Sequence, residues 1–389
     1  MPVEQPVKIC LVNDTSDDSN WGGKATSHAL RALIDDTGGQ VEATIYQYRL
    51  ATPQPDDVSE SDAFLSSGMA SKDVAPLCWA AFDECATQVL NGEWFPSIYR
   101  ELSECDVVLI NGEGCIYDRT RQSRMIYFIA YFAKHCLDKP TAIVNHSIVL
   151  NDPVLMEIAV NVYPMLDDVV FREPDSALAC PGAAGHVGAD AAYIHLPRPV
   201  AAWNGTLGDG FDPERPYVCL GGGSVFFRGL RPGYDPLPGV MQLCERFRND
   251  VGQVVLTASS HKDLSLMTPV SRELGLPLID IGQSVQEAVD VLGHAGVYVG
   301  ARWHPGIFAH RGGTPVVAWT EHTPKMTAFL KQAELSQRTF DPFRIGEQLD
   351  DIVSLAATYL DAGHELRDRL RVGAQRLAYK TRDNVRLLG

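Results

Sequence analysis

Several large functional classes are closed to this 389-residue chain by what it lacks. Positive charge is not in excess: 33 Lys and Arg stand against 49 Asp and Glu, giving a formal net charge of −16. Nonspecific binding to nucleic acid needs a basic footprint, so nucleic acid is not expected as a partner. A few local arginines could still gather a small anion. No apolar run approaches the ~20 residues of a membrane span, and no signal-peptide pattern opens the chain; both predict a cytoplasmic protein. The nine cysteines contain no CxxC spacing, which predicts reduced, largely buried thiols in place of a disulfide framework or zinc site. GxSxG, HExxH and DxD are missing as well. The serine-hydrolase elbow, the zinc-protease helix and a nucleotide-bound metal thereby drop out, and neither metal nor cofactor is expected.

What is present is ordinary globular composition, 45% apolar and 21% charged, at a length that predicts two domains. Apolar strands are expected over residues 7–12, 41–46, 106–110, 141–144 and 169–171, with helical patterns at 24–34, 124–136 and 153–163. Strands separated by helices of this length indicate right-handed βαβ units and a parallel sheet. The acidic, proline-containing segment 53–62 reads as a solvated loop, and 196–216, rich in Pro, Gly and Asp, as the domain linker. A second series of strands follows at 217–220, 254–257, 278–279, 297–299 and 315–318. The chain closes with a helix at 352–359 and a basic amphipathic stretch over 364–386. Its Arg367, Arg369, Arg371, Arg376, Lys380, Arg382 and Arg386 form a solvated face that could also hold an acidic lipid surface, a peripheral membrane contact. The expected fold is α/β: two Rossmann-like domains, over 1–200 and 214–389, with parallel sheets facing a central cleft in a GT-B-like layout.

In open parallel sheets, ligands bind outside the carboxyl ends of the strands, and this rule ranks the loops. The segment Ala301-Arg302-Trp303-His304 leaves a strand and enters a helix, so Arg302 can clamp an anion while the His304 imidazole passes it a proton. After the first strand, 13–23 offers Asp18, Asn20, Trp21 and Gly22: polar groups and an aromatic face suited to a sugar, or simply a capped helix start. Asn111-Gly112-Glu113-Gly114 forms a tight turn in which Glu113 could serve as a general base or face water. Arg172 could bind a carboxylate or phosphate, or pair with Glu173. Gly222 and Ser224, in Gly221-Gly222-Gly223-Ser224, could cradle phosphate, with Arg228 and Arg231 close behind; His261, in Ser259-Ser260-His261-Lys262, is a further anion contact. His310, Arg311 and His322 are expected in a supporting layer or on the surface.

These motifs resemble those of the polysaccharide pyruvyl transferase family over roughly residues 8–320. Asn20-Trp21-Gly22-Gly23 stands where the family has an Asn/Gly-rich loop, and Asn111-Gly112-Glu113-Gly114 where it has a glycine-rich turn. Phe171-Arg172-Glu173 is similar to its Arg-Glu motif. Arg302-Trp303-His304 through Ala309, with Gly313-Thr314-Pro315-Val316-Val317, is similar to its Arg-x-His helix and Gly-x-Pro strand. The chain departs at Gly22-Gly23, where Gly-Asp is more usual, and at Glu113, where glycine is. The resemblance implies transfer of pyruvate from phosphoenolpyruvate, as donor co-substrate, to a sugar or lipid-linked oligosaccharide as a ketal. The N-terminal domain would serve the acceptor and the C-terminal domain the donor. It further implies that Arg172 and Arg302 bind the donor's anionic groups, that His304 protonates its methylene carbon, and that Glu113 or Asp18 activates the acceptor. A metal-independent GT-B glycosyltransferase using a nucleotide sugar is the alternative, and a non-catalytic sugar-binding module the second.

Overall fold

The computed structural model describes residues 5–59, 72–182, 185–203, 207 and 211–389. Two six-stranded sheets, parallel throughout, account for the strands. The first is built from β1 (Lys8–Asp14), β2 (Gln40–Tyr46), β3 (Val107–Tyr117), β4 (Thr141–Val149), β5 (Asp168–Phe171) and β6 (His186–Val187), in the order β2-β1-β3-β4-β5-β6. The second uses β7 (Val218–Gly221), β8 (Val254–Ala258), β9 (Leu278–Asp280), β10 (Val297–Gly300), β11 (Val316–Trp319) and β12 (Thr339–Phe340), in the order β12-β11-β10-β7-β8-β9. Both central strands are buried along nearly their whole length, as continuous apolar runs in a parallel sheet should be. Strand order reverses between β1 and β3 in one sheet and between β7 and β10 in the other. At such switch points the connecting helices diverge and leave room for a ligand at the carboxyl edge.

All ten expected strands are present, and the short edge strands β6 and β12 are additions. The turn expected at 112–114 is instead a bulge inside a longer strand: β3 runs on to Tyr117, its register with β4 shifting between Glu113 and Ile116. A bulge needs one residue out of the pleat, and Glu113 supplies it at φ 45°. The acidic 53–62 segment is not all solvated either. Asp57 is buried and meets Arg121 at 2.6 Å, beside carbonyls of Arg49 and Leu50 that the same guanidinium caps. Residues 60–62 of that segment, and 204–206 and 208–210 of the expected linker, lie outside the described residues.

Contacts divide the chain into two compact units: residues 1–18, 26–191 and 380–389, and residues 19–25 with 192–379. Contact density thus draws the line after Ala191, where the sequence predicts it between 200 and 214, and counts the last ten residues with the first unit. The Gly363–Lys380 helix ends there. Beyond it Arg386 holds Asp168 through two bonds of 2.7 and 2.5 Å, and Asn384 donates to the Ala189 carbonyl at 2.9 Å. The expected solvated basic face is therefore partly internal. Arg367 donates to the carbonyls of Ala295 and Gly293, and Arg371 to that of Gly312, so both cap the carboxyl ends of preceding helices, where cations are favoured. Among the described residues no helix is long and apolar enough to cross a membrane. All nine cysteines are free thiols.

Candidate functional site

In the second unit the predicted residues converge on the switch point. Gly221-Gly222-Gly223 leaves β7 and Ala301-Arg302 leaves β10, and the two segments are tied by the Ala301 amide donating to the Gly222 carbonyl at 3.0 Å. Arg302 stands at the amino end of the Trp303–Arg311 helix. Its guanidinium is fixed by an acid the sequence did not single out: Nη2 lies 2.8 Å from Asp263 Oδ1, Nε contacts both Asp263 oxygens, and Nη2 also donates to Ser260 Oγ at 2.9 Å. Among the described residues Nη1 makes no hydrogen bond. Burial disfavours the cation, but Asp263 outweighs it and Arg302 stays charged. Asp263 also receives the Ser259 amide and hydroxyl, while Ser260 caps the helix His261–Leu274. Gly222 is required by this arrangement, since a Cβ there would lie 2.5 Å from Asp263 Oδ1. His261 is exposed on the first turn of its helix.

His304 stands half-buried in the first turn of the Trp303–Arg311 helix, and its ring lies directly against Gly22, where a Cβ would come within 1.8 Å of Nδ1. Asn20 sets that glycine: its side chain accepts the Gly22 amide at 2.8 Å and its carbonyl the Lys24 amide, which starts the Trp21–Asp36 helix. Trp21, expected to face a sugar, is instead fully buried, with its amide donating to the Ser259 carbonyl. A ring of that size gains more from the core than from water. Ser224 donates to Glu321, a second acid the sequence reading missed, at 2.8 Å. Glu321 leaves β11 as Arg302 leaves β10. Burial pushes its carboxyl up, but His322 at 2.8 Å, the Lys325 charge and Ser224 prevail and hold it at about 2. His310 is buried, Nδ1 to the Tyr193 hydroxyl at 3.0 Å, and burial lowers it to about 4.

The first unit carries a separate cluster at its own switch point. Three asparagines, all wholly buried, form a ladder across β1, β3 and β4: Asn13 Nδ2 donates to the Asn111 carbonyl at 2.6 Å and Asn145 Nδ2 to Asn111 Oδ1 at 2.9 Å. Asn13 and Asn145 are left-handed, at φ 58° and 56°, a conformation asparagine tolerates better than most residues. The ladder ends where the Ala191 amide donates to Asn145 Oδ1 at 2.8 Å. Next to it, Asp190 takes Arg172 Nη1 at 2.9 Å, while Arg172 Nε donates to Ser147 Oγ at 2.9 Å. Arg172 therefore pairs with a buried acid 18 residues away, and Glu173 instead caps the helix Pro174–Ala179 through the Ser176 amide. Glu113, half-buried, accepts the Gly114 amide at 3.3 Å. Gly112 passes so close to His146 that a Cβ would lie 2.5 Å from it. Burial lowers His146 to about 3, and the Val170 carbonyl and Tyr163 hydroxyl orient its neutral ring. Asp18 is exposed and belongs to this unit, whereas Asn20, Trp21 and Gly22 belong to the other. Among the described residues, no group of three His, Cys, Asp or Glu side chains could hold a metal ion.

The fold is shared with proteins of known structure. The chain is similar to Arabidopsis thaliana UGT89C1 complexed with UDP-L-rhamnose, at 14% identity over 98% of each chain with a TM-score of 0.55. It is similar to UDP-GlcNAc 2-epimerase from Neisseria meningitidis bound to UDP-GlcNAc, at 12% identity over 96% of this chain and 99% of that one, TM-score 0.53. Anabaena Alr3699/HepE in complex with UDP-glucose follows at 10% identity, 97% and 98% coverage and TM-score 0.55. No curated protein matches the chain. These likenesses establish the two-Rossmann, GT-B-like fold. The family model for polysaccharide pyruvyl transferase matches residues 20–322, which include the Asn20–Gly23 loop, the Asn ladder beyond Asn13, Arg172, and the Arg302–His304 helix start. The chain belongs to the polysaccharide pyruvyl transferase family.

Proposed function

We propose that the chain transfers pyruvate from phosphoenolpyruvate to two hydroxyls of a sugar or lipid-linked oligosaccharide, as a ketal, in the cytoplasm. The observation that carries this reading is the charged guanidinium of Arg302, locked by Asp263 and Ser260 at the start of the helix that presents His304. A fixed cation beside a helix amino end suits the donor phosphate. His304 delivers a proton to the methylene carbon, leaving the central carbon electron-poor. One acceptor hydroxyl adds to that carbon and a second displaces phosphate, closing the ketal. Of the two hydroxyl protons, one replaces the proton that His304 gave up and the other leaves with phosphate. No cofactor takes part. On the acceptor side, Glu113 and Asp18 are the candidates for activating a hydroxyl, and the charge of Arg172, already matched by Asp190, serves to orient polar groups of a ligand. Arg369, Arg376 and Lys380, exposed on the Gly363–Lys380 helix, would carry any contact with an acidic membrane surface.

Isothermal titration of phosphoenolpyruvate beside UDP-, GDP- and CMP-sugars, on wild type and Arg302→Ala, tests the donor. Binding of phosphoenolpyruvate that the variant loses is the expected result. Binding of a nucleotide sugar in its place would transfer the assignment to glycosyl transfer, the second reading, which the UDP-sugars bound by similar folds favour. Failure to turn over any of these donors in the presence of acceptor would point to the sugar-binding module. For the proton donor, His304→Ala should lower turnover by about 10²–10⁴-fold; near-normal turnover would remove His304 from that role.

A further inference from the structure

A cavity in the second unit lies at the edge of its sheet opposite Arg302 and His304. It has a volume of about 410 Å³ and is bordered by Gly293, which precedes β10, and Gly312, which precedes β11. In a parallel sheet this is the amino edge, while Arg302 and His304 stand beyond the carboxyl end of β10. Part of the wall is apolar: Leu196 and Val372 line it and remain 57% and 54% exposed, and Pro197 lies beside Leu196. Such residues left open around a concavity mark a place where something apolar docks.

The polar part of the wall is cationic. Arg311, the last residue of the Trp303–Arg311 helix, is only 9% exposed. Its Nε donates to the Tyr193 carbonyl at 2.8 Å, and among the described residues neither Nη nitrogen has a hydrogen bond and no carboxylate pairs with the charge. The negative end of its own helix makes a cation tolerable there, yet it gives the two Nη groups no acceptor. The two Nη groups therefore meet the solvent of the cavity, where an anion would find donors that no other side chain among the described residues occupies. Arg371 lines the same cavity, its Nε on the Gly312 carbonyl and its Nη1 on the exposed Asp368. In a chain of formal charge −16, two arginines facing one small cavity, with one exposed acid between them, make a local positive excess.

We infer that this cavity is a binding site for a small anion with an apolar body, a phosphate monoester or carboxylate, whose charged end meets Arg311 and whose apolar end lies on Leu196, Pro197 and Val372. The cavity lies at the opposite edge of the sheet from Arg302 and His304, so the site does not depend on the transfer reading. The Trp303–Arg311 helix thus has Arg302 at one end and Arg311 at the other.

Titration calorimetry with butyl phosphate, butyrate and inorganic phosphate, without donor or acceptor, tests the inference. Butyl phosphate should bind with one-to-one stoichiometry, at least about tenfold tighter than inorganic phosphate, because only its chain reaches the apolar wall. Two substitutions at exposed positions on the last long helix, where folding is not at risk, localise the event: Val372→Trp fills the cavity and Gln375→Glu sets a rival carboxylate on its wall. Each should weaken butyl phosphate at least about tenfold. Binding that both variants leave intact would overturn the inference, as would no binding of butyl phosphate or butyrate at millimolar concentration. Equal binding of butyl and inorganic phosphate would overturn its apolar half. The preference between butyl phosphate and butyrate reads which anionic group the arginines take.

Discussion

At the scale of single residues, the two arginines predicted to bind the donor are each fixed by an acid. Arg302 has Asp263, Arg172 has Asp190, and both acids are wholly buried. A buried carboxylate beside a buried guanidinium loses hydration on both sides, and the pair holds only while both members are present. Asp263→Asn should therefore lower the thermal midpoint by the equivalent of about 3–5 kcal/mol and weaken anion binding at Arg302. Differential scanning calorimetry with and without phosphoenolpyruvate reads both, and an unchanged midpoint would dismiss the pair as a stabilising element. Glu321 makes a pH prediction. Its folded value of about 2 lies below the ordinary 4.5, so it contributes stability above about pH 4.5 that is lost as pH falls towards 2. His146 and His310, held neutral by burial at about 3 and 4 against an ordinary 6.5, also cost stability on acidification, from about pH 6.5 down. The difference between wild type and Glu321→Gln isolates the glutamate: denaturant midpoints should converge as pH drops from 4.5 to 2, and parallel curves would contradict the assignment.

At the scale of elements, the bulge in β3 is where local and global demands conflict. Glu113 is held at φ 45°, where a side chain with a Cβ costs roughly 1–2 kcal/mol that glycine would not. Relief of that strain exceeds or matches glycine's greater freedom in the unfolded chain, roughly 0.5–1 kcal/mol. Glu113→Gly should thus leave the thermal midpoint equal or higher, while lowering turnover with the native acceptor if the carboxylate activates it. A lower midpoint would mean that the glutamate's own contacts, the Gly114 amide among them, outweigh the strain. The same elements show what was legible. Strand runs such as 254–257 and 297–299 announce themselves by continuous burial, and strand-end position alone pointed to Arg302, His304 and Asn111. The acids stayed hidden because their partners are remote: Asp263 is 39 residues from Arg302 and Asp190 is 18 from Arg172. The rungs Asn13–Asn111 and Asn111–Asn145 likewise span 98 and 34 residues. Asp263 did leave a trace, as the residue three beyond the helix-capping Ser260, and Glu321 followed the same strand-end rule as Arg302. Two-residue strands such as β6 and β12 carry no periodicity to read.

At the scale of the whole molecule, the chain's end is assigned by what it touches and not by what precedes it. Residues 192–379 build the second unit, yet the next ten count with the first. Arg386 reaches Asp168, at the head of β5, Asp383 meets His186 at 2.8 Å in β6, and Asn384 holds the Ala189 carbonyl. These contacts fall on the edge of the first sheet where its last two strands are only four and two residues long, so tail and edge are marginal apart and stabilise each other. Removing residues 381–389 leaves Asp168, whose side chain is 6% exposed, without its arginine. Because Arg386 is itself 45% exposed, screening reduces the loss, and about 1–3 kcal/mol is expected. That loss should be local to the first unit. Hydrogen–deuterium exchange would show faster exchange at the amides of 168–171 and 186–190, with β7, β8, β10 and β11 unchanged. Uniform acceleration through both sheets would mean that the tail serves the cooperative stability of the whole chain. Protection lost from the second sheet alone would reassign the last ten residues to the unit that precedes them in sequence.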